Sequence, residues 1–205
     1  MLLSTQGVNS IVKNAGSHLI VISAPSGSGK TTLCQKLLQD FPMLRLSISS
    51  TTRSPRGKEK HGVEYFFLTE MEFKKQIQEN CFVEWAQVHG NYYGTSKLFI
   101  EDSFKHNYSI LLDIDVQGAK QLKKAFPLQC HLIFIAPPSL EELEIRLRAR
   151  KTDSEDSIQK RLKNASIEMK ASQDFDHIVI NDTLNRAYQE LRTILENQYS
   201  LKTKE

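Results

Sequence analysis

His18-Leu-Ile-Val-Ile-Ser-Ala-Pro-Ser-Gly-Ser-Gly-Lys-Thr-Thr32 holds the key to the fold. Residues 18–23 are mostly apolar and β-branched and run into Pro25 and Gly27, so they read as a short buried strand. Past Lys30, apolar residues at 33, 34, 37, 38 and 41 keep a helical spacing that Pro42 stops, which predicts a helix from Thr31 to Asp40. Between them, Ala24-Pro-Ser-Gly-Ser-Gly-Lys-Thr31 follows the pattern G-x-x-x-x-G-K-[ST] with Ala in the first place. In such a loop successive backbone N–H groups face an anion, and the next helix adds its own free N–H groups and positive end. Lys30 then reaches the β- and γ-phosphates of a nucleoside triphosphate, and the Thr31 hydroxyl can ligate Mg²⁺. Ala24 fits provided its φ is negative. Residues 24–31, with Thr32, are the candidate ATP-binding residues.

Working outward, strands and helices alternate. Strands are expected at 44–48, 65–68, 82–88, 108–114, 131–135 and 177–180. Helices are expected from a capping box at Thr69-x-x-Glu72 to about Asn80, over 95–105 and 116–125, from a second box at Ser139-x-x-Glu142 to about Arg150, and over 158–172 and 184–199. This alternation implies an α/β fold of the P-loop NTPase type: a three-layer, mostly parallel sheet with helices on both faces. The stretch from 49 to 98 breaks the rhythm and reads as an inserted small mixed α/β module. The core is then 18–48 and 99–200. The strand ending Leu111-Leu-Asp-Ile-Asp115 delivers carboxylates to the Mg²⁺ side of the loop, with Asp113 a second candidate at the metal. Aspartate at a strand end also fits a helix cap.

With 205 residues, 40% apolar and 25% charged, the chain suits one α/β domain. A formal net charge of +3, spread along the chain, argues against a nucleic-acid partner. No apolar run reaches transmembrane length, so no membrane partner is expected. Residues 1–17 carry only Lys13 and read as a loose N-terminal extension, not a signal peptide. Cys34, Cys81 and Cys130 form no C-x-x-C pair, which predicts buried free thiols in a reducing cytoplasm. His61, His89 and His106 lack metal-ligand spacing.

Seven further blocks matter jointly: Ser47-Ile-Ser-Ser-Thr-Thr-Arg-Ser-Pro-Arg56, Gly62-x-x-Tyr65, Phe82-Val-Glu-Trp-Ala86, Asn91-Tyr-Tyr-Gly94, Asp113-Ile-Asp-Val-Gln-Gly118, Ile135-Ala-Pro-Pro-Ser139 and Val179-Ile-Asn-Asp182. Together they resemble guanylate kinase from about residue 18 to 199, and the Ala-Pro-Ser-Gly form of the loop resembles bacterial members. The resemblance implies transfer of the ATP γ-phosphoryl group to GMP or dGMP, with Mg²⁺, in purine nucleotide metabolism. It places the GMP phosphate at Arg53, Arg56, Tyr65 and Tyr93. Guanidinium forks match phosphate oxygens, although two loop arginines by themselves also fit a solvated basic loop. It places guanine at Ser49, Glu84, Thr95 and Asp115, with Glu59 in support and Asp113 and Gly118 beside them. A carboxylate can accept both guanine N–H donors, N1 and N2, and adenine lacks that pair. It assigns Arg146, Arg150 and Arg161 to a lid, about 146–161, that stabilises transferred charge together with Lys30 and Arg53. Asn181 falls near the donor nucleoside. Rival readings are another kinase on the same framework and a non-catalytic protein-binding module of the same shape, which Lys30, Thr31 and the two acceptor arginines disfavour.

Overall fold

A computed structural model describes residues 16–88, 90–149 and 153–204. Five parallel strands form the main sheet in the order β2-β7-β1-β8-β9: β1 (Leu19–Ser23), β2 (Leu44–Leu46), β7 (Ser109–Asp113), β8 (Cys130–Ala136) and β9 (His177–Ile180). Strand alternation explains the layering. Ile20 and Ile22 point into a cluster with helices α1 (Lys30–Asp40) and α7 (Leu184–Tyr199), while Leu19 and Val21 join α3 (Lys97–Lys105) and α4 (Val116–Ala125) on the other face. Both faces of β1 are therefore dry, as its unbroken apolar run demands. Helices α5 (Leu140–Ala149) and α6 (Glu155–Ala171) pack mainly on each other through Leu143, Leu147, Ile158 and Ala165.

A second sheet, order β4-β3-β6-β5, is built from β3 (Ser50–Thr51), β4 (Phe66–Phe67), β5 (Phe82–Val88) and β6 (Asn91–Ser96), with helix α2 (Glu70–Gln78) beside it. Its mixed pairing, parallel β3–β4 and antiparallel β3–β6 and β5–β6, sets it apart from the main sheet. Both halves of the Thr69/Glu72 capping box form.

Several expectations need correcting. Strand β6 was not expected, and Thr95 belongs to it instead of opening α3, which Ser96 caps. The stretch Asn91-Tyr-Tyr-Gly-Thr-Ser96 lacks aliphatic alternation, because Gly94 must admit the Phe73 and Phe82 rings: a Cβ there would lie 3.0 Å from each. Helix α6 begins at Glu155, not 158, because the Ser154 side chain caps it. At Ser139 only the forward half of the box forms; Glu142 turns its carboxylate to Arg146. Cys34 and Cys130 are buried as expected, but Cys81 is exposed. Among the described residues no helix is long and apolar enough to cross a membrane. The expected N-terminal extension lies almost wholly outside the described residues.

Candidate active site

Strand β1 leads straight into the phosphate loop. Described non-glycine residues with positive φ are Asn80, Asn107 and Ser200, so Ala24 meets its condition. Gly27 and Gly29 sit at φ +105° and +84°, where a side chain would be strained. Both also lie against neighbours. A Cβ at Gly27 would come within 3.0 Å of Leu147, and one at Gly29 within 2.5 Å of the Asn181 amide nitrogen. The Ser28 N–H donates to the Pro25 carbonyl (3.1 Å), and the loop feeds directly into α1 at Lys30. Thr31 and Thr32 are exposed at the helix start.

The parallel register places Ile22 opposite Asp113, so the loop and the acidic end of β7 emerge side by side. Lys30 pairs with Asp113 there. Burial pulls the Lys30 pKa down, but Asp113 outweighs it, and the ammonium is held above its usual range. Thr31 and Asp113 offer the hard oxygen donors that suit Mg²⁺. Tyr65, from the second sheet, has its hydroxyl pushed up by burial and then by Asp113, which brings it into the field of the donor loop.

In the second sheet Arg53 is 9% exposed, and Glu59 holds it in place: Arg53 Nη2 donates to Oε1 (3.0 Å), while the Arg56 N–H donates to Oε2 (2.7 Å). Glu59 thus ties the two arginines together. Arg53 stacks near Tyr65 and Phe67, and Tyr65 meets Tyr93 edge-on. Arg56 is exposed.

Glu84 is 4% exposed on β5, and Thr95, its cross-strand partner on β6, donates to Oε1 at 2.5 Å. Burial pushes its carboxyl up to about 7, against the Thr95 hydrogen bond and with help from Asp115. Gly118 explains how this carboxylate reaches the start of α4: a Cβ there would meet Glu84 Oε2 at 2.7 Å. Asp115 caps α4 through the Gly118 N–H (2.9 Å), so its helix-capping reading holds while it also sits beside Glu84. Ser49 is buried just before β3.

The three arginines expected at a lid divide. Arg161 Nη1 donates to Ser26 Oγ (2.8 Å) and Nη2 to Asp153 (2.9 Å), reaching the loop from α6. Arg146 donates to Glu142 and to the Asn181 carbonyl (both 3.0 Å). Arg150 lies outside the described residues. Arg148 pairs with Glu144 and Glu155 as a solvated surface residue. Asn181, expected near the nucleoside, turns its amide into the loop and donates to the Ser28 carbonyl (2.7 Å). Glu168 was missed from the sequence. It stands two turns beyond Arg161 on α6 and feels Lys30 and Asp115, and burial above all pushes it up to about 7. Seven-residue spacing on a charged helix was its only signal.

Known proteins converge on one family. The family model described as "Guanylate kinase" matches residues 16–198. The guanylate kinase of Geobacter sulfurreducens is 46% identical over 177 residues, 86% of this chain and 87% of that protein. That of Fusobacterium nucleatum is 48% identical over 179 residues, 87% of this chain and 96% of that protein. A crystal structure of guanylate kinase from Anaplasma phagocytophilum superposes with a TM-score of 0.75 at 31% identity, covering 90% of this chain and 87% of that one. With the phosphate loop, the two-sheet architecture and the buried Glu84 in one frame, this chain belongs to the guanylate kinase family.

Proposed function

We propose that the chain transfers the γ-phosphoryl group of ATP to GMP, and to dGMP, releasing ADP and the corresponding diphosphate in the cytoplasm, where it serves purine nucleotide metabolism and GMP recycling. One observation carries this reading. A buried carboxylate, Glu84, is oriented by Thr95 in the second sheet and reaches Gly118, five residues past the Asp113 that pairs with the phosphate-loop lysine. Guanine donates N1–H and N2–H to ionised Glu84, with Asp115, Ser49 and Thr95 completing its hydrogen bonds. Arg53, Arg56, Tyr65 and Tyr93 hold the GMP phosphate in line with the donor. dGMP presents the same base and phosphate.

At the donor side the inward N–H groups of residues 24–31 bind the triphosphate, and Lys30 exchanges part of its Asp113 contact for phosphate oxygens. An acceptor phosphate oxygen attacks the γ-phosphorus while the bond to ADP breaks. Charge spreads over the transferred oxygens, and Lys30, Arg53, Arg146, Arg150 and Arg161 offset it. Thr31 and Asp113 would hold Mg²⁺ with the nucleotide, and the bound ion would further neutralise the phosphates. Lid closure excludes water, which would otherwise take the γ-phosphoryl group.

An ADP-release assay with ATP across GMP, dGMP, AMP, UMP and ribose bisphosphate tests the reading. Turnover with GMP and dGMP alone is expected. No turnover of GMP overturns it.

A further inference from the structure

Strand β3 has only two residues, Ser50 and Thr51, which face Gly94 and Tyr93 across the antiparallel pair with β6. The chain then leaves the sheet and delivers Arg53 two residues later. So short a ladder has few backbone bonds to fix that departure. Two threonine hydroxyls take over the task.

The Thr52 N–H donates to the Tyr92 carbonyl (3.1 Å), as the next ladder pair would. In return the Tyr92 N–H donates to the Thr52 hydroxyl (2.9 Å), where a regular ladder would use the Thr52 carbonyl. The backbone is thereby free to turn after Thr52. Thr51 shapes that turn. It is fully buried, and its hydroxyl donates to the same Tyr92 carbonyl (2.9 Å) while accepting from the Arg53 N–H (3.1 Å). A threonine hydroxyl that accepts from the N–H two residues on stands in for a backbone turn. One oxygen atom thus ties the start of the arginine loop to the residue beside Tyr93. Tyr92 is a firm anchor for it, because its ring stacks on the fully buried Phe73 of α2, with centroids 5.4 Å apart. The far end of Arg53 is held separately, by the Ser54 carbonyl (2.8 Å) and Glu59 (3.0 Å).

We infer that Thr51 is a positioning residue for the acceptor phosphate, whose hydroxyl sets Arg53 of the loop against Tyr93 of β6. Fully buried and with its proton engaged by Tyr92, it acts through those two residues and not by touching the substrate. This inference rests on the reading above that Arg53 and Tyr93 hold the GMP phosphate, and the experiment separates the two.

Affinities for GMP, guanosine and ATP are measured by calorimetry for the wild type, Thr51→Val and Thr51→Ser. Valine keeps the branched shape and removes the hydroxyl, which leaves the buried Arg53 N–H without its acceptor. GMP affinity should then fall about tenfold, the order expected when a buried donor loses its partner. Guanosine, which lacks the phosphate, and ATP, which binds at the phosphate loop, should keep their affinities. Serine retains the hydroxyl and should bind all three as the wild type does. Unchanged GMP affinity in Thr51→Val would overturn the inference. So would an equal loss for guanosine or a loss for ATP, either of which marks a general structural defect. A serine variant as weak as the valine one would assign the effect to packing and overturn it too. Wild-type protein that binds GMP no more tightly than guanosine would bring down the acceptor-phosphate reading, and the inference with it.

Discussion

Glu84→Gln keeps the shape of the acceptor carboxylate and removes its charge, so stability and recognition should move in opposite directions. Glu84 is 4% exposed, with Thr95 donating at 2.5 Å and Asp115 close enough to oppose a second negative charge. Burial raises its carboxyl from 4.5 to about 7. Between those values the folded protein holds a proton that the unfolded chain has released, so stability falls as pH rises through the window. At about 1.4 kcal/mol per tenfold change in proton affinity, full ionisation costs about 3 kcal/mol. Glutamine escapes that cost. Ligand-free Glu84→Gln should therefore melt above the wild type at about pH 8, by roughly 6–12 °C for a domain of this size, and the gap should close towards about pH 5.

Function should pay the difference. In the proposed function ionised Glu84 accepts two guanine N–H groups, whereas glutamine offers one acceptor and one opposing donor. A charge-assisted hydrogen bond is worth about 1.5–3 kcal/mol, so kcat/KM for GMP should drop at least ~10²-fold. In the wild type, kcat/KM for GMP should also fall about tenfold for each pH step below about 7, as the free enzyme takes up the proton. The variant should lack that slope. Steady-state ADP release against GMP from about pH 5.5 to 8.5, with melts of ligand-free protein, reads both effects. Wild-type kcat/KM in the glutamine variant, or melts that coincide at about pH 8, would rule out this role for Glu84.

Lys30→Met should lower turnover by at least ~10²-fold while GMP binding, measured by calorimetry, stays intact, because the lysine faces the donor phosphates. Gly118→Ala should raise KM for GMP about tenfold and leave ATP affinity unchanged, since its Cβ would stand 2.7 Å from Glu84 Oε2 and must displace the carboxylate. His131 hydrogen-bonds His18 at 2.9 Å and stacks on Tyr199, and burial, then His18, hold it down at about 4, so it contributes stability above about 6.5 that is lost as pH falls towards 4. Melts of His131→Phe should decline less steeply with acidification than those of the wild type.

Local chemistry made much of this molecule legible in advance. Leu19–Ser23 is buried on both faces, so its apolar run marks it as a central strand, and Pro42 and the Thr69 box punctuate helices by mechanisms that need no tertiary context. Strand β6 escaped because its residues were selected by neighbours distant in sequence: Gly94 by two aromatic rings, and Thr95 by Glu84 across the hairpin. Site residues divided in the same way. Lys30 and Arg53 announce themselves as charges in Gly- and Pro-marked loops. The roles of Glu59 and Gly118 depend on what stands opposite each of them, which composition and period do not encode.

One strand-to-helix turn links the two halves of the proposed site. Strand β7 is bonded on one side to β2 as far as Leu111 and on the other to β1 as far as Asp113, so Asp113 stands beside the loop that β1 feeds. Two residues later Asp115 caps α4, and on the first turn of that helix Gly118 admits Glu84 from the second sheet. Lys30, which pairs with Asp113, and Glu84, which meets Gly118, are thereby referred to the same short stretch, residues 113–118. In-line transfer tolerates little misplacement of the reacting atoms. A shift of this turn would carry both reference points together and preserve their spacing. The loop is touched from outside by α5, through Leu147 against Gly27, and by α6, through Arg161 on Ser26, neither of which belongs to that turn.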